Sequence, residues 1–185
     1  MTGRIKKHII FILAQLVIGL SVYGQNKMPV VVNNDTTLAK GTYIAENNIL
    51  VGKDATLRFA PGSHLLLGDN VVIRVEGGFF MEGSEMEFAS ISSLNEDAQG
   101  LGLVVSGISN KHIILKRVRL QKLEAPIEFE YDWHRPSVNI EGSEFKENES
   151  YMPCVFVRVP ETIEVSTTCK FSFTSCSFID NIGGI

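Results

Sequence analysis

The stretch Glu128–Pro136, EFEYDWHRP, concentrates side chains that could bind or transform a ligand. Its five candidate binding residues are consecutive: Tyr131, Asp132, Trp133, His134 and Arg135. Aromatic rings can stack on sugar rings, and the cationic side chains could neutralise a uronate carboxylate or, as a base, remove its α-proton. These residue types predict a carbohydrate-binding segment. The alternative is a polar, solvent-facing turn in which Trp133 covers the edge of a sheet.

Other catalytic or metal-binding groups are not assembled in the sequence. The acidic residues that could form a calcium site are scattered along the chain: Asp69, Glu96, Asp97 and Asp132. Cys169 and Cys176 lack a zinc-binding spacing, and His64 and His112 are interpreted as ordinary residues at strand edges. The sequence therefore assigns no catalytic residue, no metal ligand and no cofactor.

The first 24 residues have the pattern of a secretory signal peptide. Basic residues such as Arg4 precede the apolar segment Ile9–Leu20, which is too short to span a bilayer comfortably. Gly24 then supplies a small residue before the expected cleavage at Gln25. We expect an exported protein, in the periplasm, on the cell surface or outside the cell, without a later transmembrane segment.

The charge and the cysteines limit the partners and the covalent structure. Loss of the signal peptide removes three bases and no acids, which changes the formal net charge from −4 to −7. An acidic protein is a poor partner for nucleic acid. Cys154, Cys169 and Cys176 permit one disulfide and one thiol, or three small buried residues.

Short triplets with apolar outer residues recur along the chain in two alternating series. The first series is Leu65–Leu67, Met86–Phe88, Ile113–Leu115, Val138–Ile140 and Phe171–Phe173. The second series is Ile49–Val51, Ile73–Val75, Leu103–Val105, Ile127–Phe129 and Val155–Val157. Each triplet is typical of a strand whose outer residues face one way, and recurrence every 20 to 30 residues or so indicates a solenoid.

Charges give an independent test of how the strands stack. A shift of 25 residues places three bases beside three acids: Lys116 with Glu141, Arg119 with Glu144, and Lys122 with Glu147. Opposite charges on neighbouring strands are favourable. The basic run from Lys111 to Lys122 is therefore interpreted as half of a salt ladder.

The phrases EGSEFKEN and TSCSFIDN, at 141–148 and 174–181, extend this alignment. Three shared positions follow: Val118, Ser143 and Cys176; Leu120, Phe145 and Phe178; and Leu123, Asn148 and Asn181. Small residues allow a tight wall and aromatic residues fill the interior. We expect asparagine to adopt left-handed backbone geometry at the corner and to stack in an amide ladder.

Two early stretches resemble a known family. ATLRFAPGSHLLL, Ala55–Leu67, and GGFFMEGSEMEF, Gly77–Phe88, are similar to the opening turns of bacterial right-handed parallel β-helix proteins of the pectate-lyase-like superfamily. Leu57 and Phe59 followed by Pro61-Gly62 match the family's strand-then-turn pattern. The resemblance implies an all-β, right-handed parallel β-helix of about six to seven turns at ~4.8 Å per turn. The superfamily includes lyases, hydrolases, adhesins and surface proteins.

The organisation expected from these features is a signal peptide over 1–24, an N-terminal cap over 25–48 and a β-helix over 49–185. We expect this β-helix to be incomplete, with an open C-terminal end that allows end-to-end self-association. Two functions fit. One is a non-catalytic, adhesin-like or carbohydrate-contacting surface scaffold with a polysaccharide or another surface protein as partner. The other is the N-terminal part of a polysaccharide lyase or glycoside hydrolase whose active turns lie beyond residue 185.

Overall fold

The computed structural model describes residues 25–96, 99–106, 111–130, 137–149, 153–158 and 170–183. In this part of the chain the secondary structure consists of nineteen short strands, without a helix. In chain order they are β1 (Asn26–Lys27), β2 (Val31–Val32), β3 (Thr36–Leu38), β4 (Thr42–Ala45), β5 (Ile49–Val51), β6 (Thr56–Phe59), β7 (His64–Leu67), β8 (Val72–Val75), β9 (Gly78–Glu82), β10 (Ala89–Ser93), β11 (Gly102–Ser106), β12 (His112–Lys116), β13 (Val118–Gln121), β14 (Ile127–Glu130), β15 (Ser137–Glu141), β16 (Glu144–Lys146), β17 (Val155–Arg158), β18 (Lys170–Thr174) and β19 (Ser177–Ile179).

Every third strand belongs to the same sheet. Sheet A contains β1, β4, β7, β10, β13, β16 and β19; sheet B starts at β2 and ends at β17; sheet C starts at β3 and ends at β18. All neighbouring strands are parallel, and each pairs with the strand three places further along the chain. The chain therefore forms a right-handed parallel β-helix, and we call one set of three consecutive strands a rung. The predicted fold class and number of turns are confirmed.

The interior consists of apolar columns that run from rung to rung. In sheet B, the column that starts at Ile49 continues through Ile73, Leu103 and Ile127, all at most 1% exposed. The residue between two inward positions points outwards, which gives the alternation of buried and exposed side chains along each strand. Each buried aliphatic side chain contributes about 1.5–3 kcal/mol relative to exposure. This burial explains why apolar-x-apolar triplets mark the strands.

The second triplet series is confirmed as five successive strands of sheet B. The first series is partly wrong. Its last three triplets stack in sheet C, but Leu65–Leu67 lies in sheet A. Met86 is 95% exposed in a turn rather than in a strand. The three sheets share one inward pattern, so the triplets alone do not show which sheet they belong to.

Two of the three predicted charge pairs are confirmed. The Lys116 Nζ atom lies 3.7 Å from a Glu141 carboxylate oxygen, and the Arg119 Nε atom lies 2.7 Å from Glu144. The third pair, Lys122 and Glu147, is aligned as predicted and attracts electrostatically, but it is not a direct contact. Glu147 is at the expected position, but its carboxylate contacts Lys146 at 3.0 Å and Gln121 at 2.9 Å. These contacts lower the pKa of Glu147, and the hydrogen bond from Lys146 has the largest effect.

The interior positions of the repeated phrase are confirmed. The Phe145 and Phe178 rings stack with centroids 4.7 Å apart and planes 8° apart. Phe145 pairs with Leu120 on the preceding rung. Ser143, which is fully buried, accepts a hydrogen bond from the Val118 N–H at 3.1 Å through its hydroxyl.

The asparagine corner is a hydrogen-bonded ladder. The Asn148 Oδ1 atom accepts the Leu123 N–H at 3.0 Å, and its Nδ2 atom donates to the Leu120 carbonyl at 3.0 Å. The same Nδ2 atom donates to Asn181 Oδ1 at 2.8 Å, and Asn181 donates to the Phe145 carbonyl at 2.8 Å. The expected amide ladder is therefore present.

The expected left-handed geometry of the asparagines is wrong. Left-handed φ values occur one residue earlier, at Lys122 (55°), Glu147 (52°) and Asp180 (51°). The chain bends at these charged residues, and the asparagine side chain that follows is left to bridge the rungs. Asparagine is present here for its paired donor and acceptor rather than for its tolerance of positive φ.

The N-terminal segment shares the strand pairing of the rest. β1, β2 and β3 are the first strands of sheets A, B and C. The division at residue 48 into cap and β-helix stays a prediction, and the signal peptide lies outside the described residues. Within those residues, no helix is long and apolar enough to cross a membrane.

Reversing one charge of the Arg119–Glu144 pair, as Arg119→Glu or Glu144→Arg, should lower the free energy of unfolding, because it puts two like charges side by side. The loss should be only about 0.5 kcal/mol, because both side chains are partly exposed. The double reversal should recover most of this loss. Urea unfolding of the wild type, the two single variants and the double variant measures the effect. A loss in the double variant equal to the sum of the two single losses would contradict this register.

Asn148→Ala should cost about 1–3 kcal/mol, because the buried Leu123 N–H and Leu120 carbonyl lose their partner. The matched control is Asn139→Ala, at an exposed position of β15, which should change stability by less than about 0.5 kcal/mol. Similar losses in the two variants, measured by urea unfolding, would show that the ladder is not a structural support.

Candidate functional site

The predicted carbohydrate-binding residues, Tyr131, Asp132, Trp133, His134 and Arg135, lie outside the described residues. The chain enters this segment at Glu130, the last residue of β14 in sheet B, and leaves it at Ser137, the first residue of β15 in sheet C. The segment therefore connects two sheets of one rung. Its binding role stays a prediction, and the neighbouring strand β14 can be described in full.

A groove of about 190 Å³ lies beside β14. Its lining residues are Val72, Leu101, Val104, Glu124, Ala125, Glu128 and Phe156. Three of them form one outward column on sheet B, because Val104 pairs with Glu128 and Glu128 pairs with Phe156 on the next rung. The groove therefore combines three outward positions of sheet B with the chain segments that lead into β11 and β14.

Ion pairs of two arginines cover the face of sheet B next to the groove. Arg74 on β8 reaches past the β11 rung to Glu130 on β14, with guanidinium-to-carboxylate distances of 2.6 and 3.3 Å. The Nε atom of Arg74 also lies 3.7 Å from a Glu76 carboxylate oxygen, so this arginine joins two carboxylates. Arg158 on β17 donates to Glu128 at 2.8 Å.

The ion pairs leave one groove carboxylate without a cationic partner. Glu128 is neutralised by Arg158, whereas no basic side chain of the described residues pairs with Glu124. The groove thus combines the half-buried aromatic ring of Phe156 with the Glu124 carboxylate, a negatively charged hydrogen-bond acceptor. An aromatic ring offers a surface for the C–H face of a sugar, and a carboxylate can accept hydrogen bonds from hydroxyl groups.

The described part of the groove contains two carboxylates and no metal site. Hydrolysis of a glycosidic bond by paired carboxylates needs an acid and a second, ionised carboxylate on opposite sides of the bond. Glu128, which pairs with Arg158, and Glu124 both line the groove. Among the described residues, no three histidine, cysteine, aspartate or glutamate side chains come together as a metal site. The geometry supports binding.

A second cavity, of about 270 Å³, lies beside the last described strands, between Cys154 and Val155 on one side and Phe178 and Ile182 on the other. Cys154 and Cys176 are free thiols, and burial raises the pKa of the Cys154 thiol. These two thiols are therefore not bonded to each other. Cys169 lies outside the described residues, so a disulfide that includes it stays a prediction. A protonated thiol is a weak nucleophile, which gives this cavity no evident chemistry.

Sequence reasoning missed the groove, because its residues are far apart in the chain. The signal was nevertheless present. Arg74, Val104, Glu128 and Phe156 are the middle residues of successive triplets in the second series, and the middle residue of a strand triplet points outwards. Reading those middle positions as one column would have brought the arginine, the carboxylate and the aromatic ring together.

Comparisons of the chain with models of protein families, with curated protein sequences and with solved structures find no match. The β-helix architecture rests on the strand pairing described above. Membership of the pectate-lyase-like superfamily rests on the sequence resemblance alone.

Proposed function

We propose that this protein is an exported, adhesin-like β-helix scaffold that contacts carbohydrate through the groove on sheet B. The observation that carries the proposal is the groove itself. It has an aromatic ring and a carboxylate that no described basic side chain pairs with, beside the strand that leads into Tyr131–Arg135. Tyr131 and Trp133 would extend the aromatic surface.

The size of the groove limits how much ligand it holds. Pockets for small molecules usually have volumes of about 300–1,000 Å³. The groove, at about 190 Å³, fits a single sugar ring better than an extended chain. The ligand would then be an end or a branch of a polysaccharide, or a glycan on another surface protein, with the rest of the contact supplied by the adjoining segment.

Four further observations support an exported binding protein. The signal-peptide pattern of residues 1–24 directs export, and the acidic charge of the remainder disfavours nucleic acid as a partner. The resemblance to the pectate-lyase-like superfamily fits a role at the cell surface. A solenoid also offers a rigid, elongated surface on which binding residues keep fixed spacings.

Self-association through the last strands stays a prediction. Phe171, Phe173 and Phe178 are 37, 41 and 52% exposed, although they continue inward columns. The residues that precede them in those columns are fully buried: Val138, Ile140 and Phe145. These rings are where end-to-end contact between two copies would occur.

Phe156→Ala and Trp133→Ala should each weaken glycan binding about fivefold to tenfold, because loss of one stacking ring removes about 1 kcal/mol. A glycan array with the chain from Gln25 onward identifies the ligand, and titration calorimetry measures the affinities. The matched control is Phe80→Ala, a half-buried outward ring on sheet C that should leave binding unchanged.

Absence of glycan binding on the array would contradict the proposed function. Equal affinities of the wild type and Phe156→Ala for a bound glycan would place the contact elsewhere. Circular dichroism and thermal unfolding of each variant separate a loss of binding from a loss of folding.

A further inference from the structure

A chain of three polar side chains crosses the outer face of sheet A, away from the groove. His64 on β7 and Ser90 on β10 are direct partners on neighbouring rungs. The Ser90 hydroxyl oxygen lies 2.9 Å from Nδ1 of His64. On the other side of the ring, Nε2 lies 3.4 Å from a Glu87 carboxylate oxygen. A hydroxyl, an imidazole and a carboxylate are thus aligned in that order.

The fold holds Glu87 in this position. Glu87 ends a tight turn in which its N–H donates to the Ser84 hydroxyl at 3.0 Å and its carbonyl accepts the Ser84 N–H at 2.8 Å. Its second carboxylate oxygen accepts a hydrogen bond from the Lys40 ammonium at 3.1 Å. Gly62, with φ of +73°, leaves room for this pair, since an added Cβ would lie 3.2 Å from the Lys40 nitrogen.

We propose that Ser90, His64 and Glu87 form a nucleophilic triad that transfers the acyl group of an unhindered carboxylic ester to water. The site goes beyond the scaffold function, because it lies on sheet A and assigns a reaction to this chain. Serine is activated when its hydroxyl lies within hydrogen-bond reach of an imidazole and a third group orients that imidazole. Serine proteases present Nε2 to the serine, whereas here Nδ1 has that role. Either ring nitrogen can act as the base.

The reaction follows from the positions of these atoms. The Ser90 oxygen bonds to the ester carbonyl carbon, its proton moves to Nδ1 of His64, and the carbonyl π electrons move to the carbonyl oxygen. As the carbonyl re-forms, the bond to the alcohol breaks and Nδ1 gives the alcohol its proton. Water then repeats both steps on the acyl-serine with Nδ1 as base, which releases the acid and restores Ser90.

Neighbouring charges support these roles. The hydrogen bond from Lys40 and the attraction to its charge lower the pKa of Glu87, so the carboxylate stays ionised and attracts a proton to Nε2. That proton leaves Nδ1 free to accept from Ser90. Arg119 is the partner of Ser90 on the next rung. Its Nε atom binds Glu144 at 2.7 Å, so its terminal N–H groups would be the donors to the negatively charged carbonyl oxygen. The half-buried Ser90 and the 32% exposed His64 side chain are open to a small ester.

A fluorophosphonate probe, which reacts with activated serines, tests the proposal on the chain from Gln25 onward. Mass spectrometry should find the label on Ser90, and Ser90→Ala should lower the labelling rate about 100-fold or more. The matched control is Ser92→Ala, on the same strand and face, where the partner across the rung is Leu66. This control should react like the wild type. His64→Ala should be slow and should recover with added imidazole.

The ring tautomer of His64 gives an independent readout. Nitrogen-15 NMR should show the proton on Nε2 and a bare Nδ1, and Glu87→Gln should shift the population towards the other tautomer. Glu85→Gln, on the same turn, is the control. A wild-type labelling rate no higher than that of Ser90→Ala overturns the proposal, as does a wild-type ring that carries its proton on Nδ1. Glycan binding through the groove is untouched by either result.

Discussion

Inward stacking of apolar side chains is the interaction on which this structure depends, because one rung of three short strands cannot bury its own apolar face. The column from Ile49 to Ile127 is closed only because each rung covers the one below. Hydrogen bonding follows the same rule. The Leu123 N–H is satisfied by Asn148, which lies on the next rung. Each rung is thus stabilised by its neighbours.

The interior fixes the strand register, and the register in turn positions the outward side chains. Residues 17 to 34 positions apart in sequence become neighbours across about 4.8 Å. This is how Arg74 reaches Glu130 and how Ser90 comes to face His64. The outer residues do little for the core, so the same scaffold can carry a binding groove on sheet B and a hydroxyl–imidazole–carboxylate chain on sheet A.

The fold was predictable because its signal repeats. Five triplets of sheet B and the positions of Phe145, Phe178 and Asn148 followed from spacing alone. The turn at Met86 was mistaken for a strand because MEF has the same apolar-x-apolar form as a true triplet. The strand that belongs there, Gly78–Glu82, contains adjacent phenylalanines that obscure its alternation.

The sites were less predictable, because their residues meet only once the register is known. Local composition singled out Tyr131–Arg135, whereas Glu124 and Phe156 have no unusual neighbours in sequence. His64 was interpreted as an ordinary strand-edge residue for the same reason. It is the first residue of β7, and its contacts with Glu87 and Ser90 come from 23 and 26 residues further along the chain.

Disulfide trapping measures the central claim, the strand register, most directly. Ile114 and Asn139 are outward partners on β12 and β15, so cysteines at these two positions should form a disulfide readily under mild oxidation. Cysteines at Ile114 and Glu141, displaced by two residues along the strand, should not, since their Cα atoms lie about 8 Å apart. Peptide mapping identifies the bonds. Efficient trapping of the displaced pair, with none of the first, would contradict the register and the sites built on it.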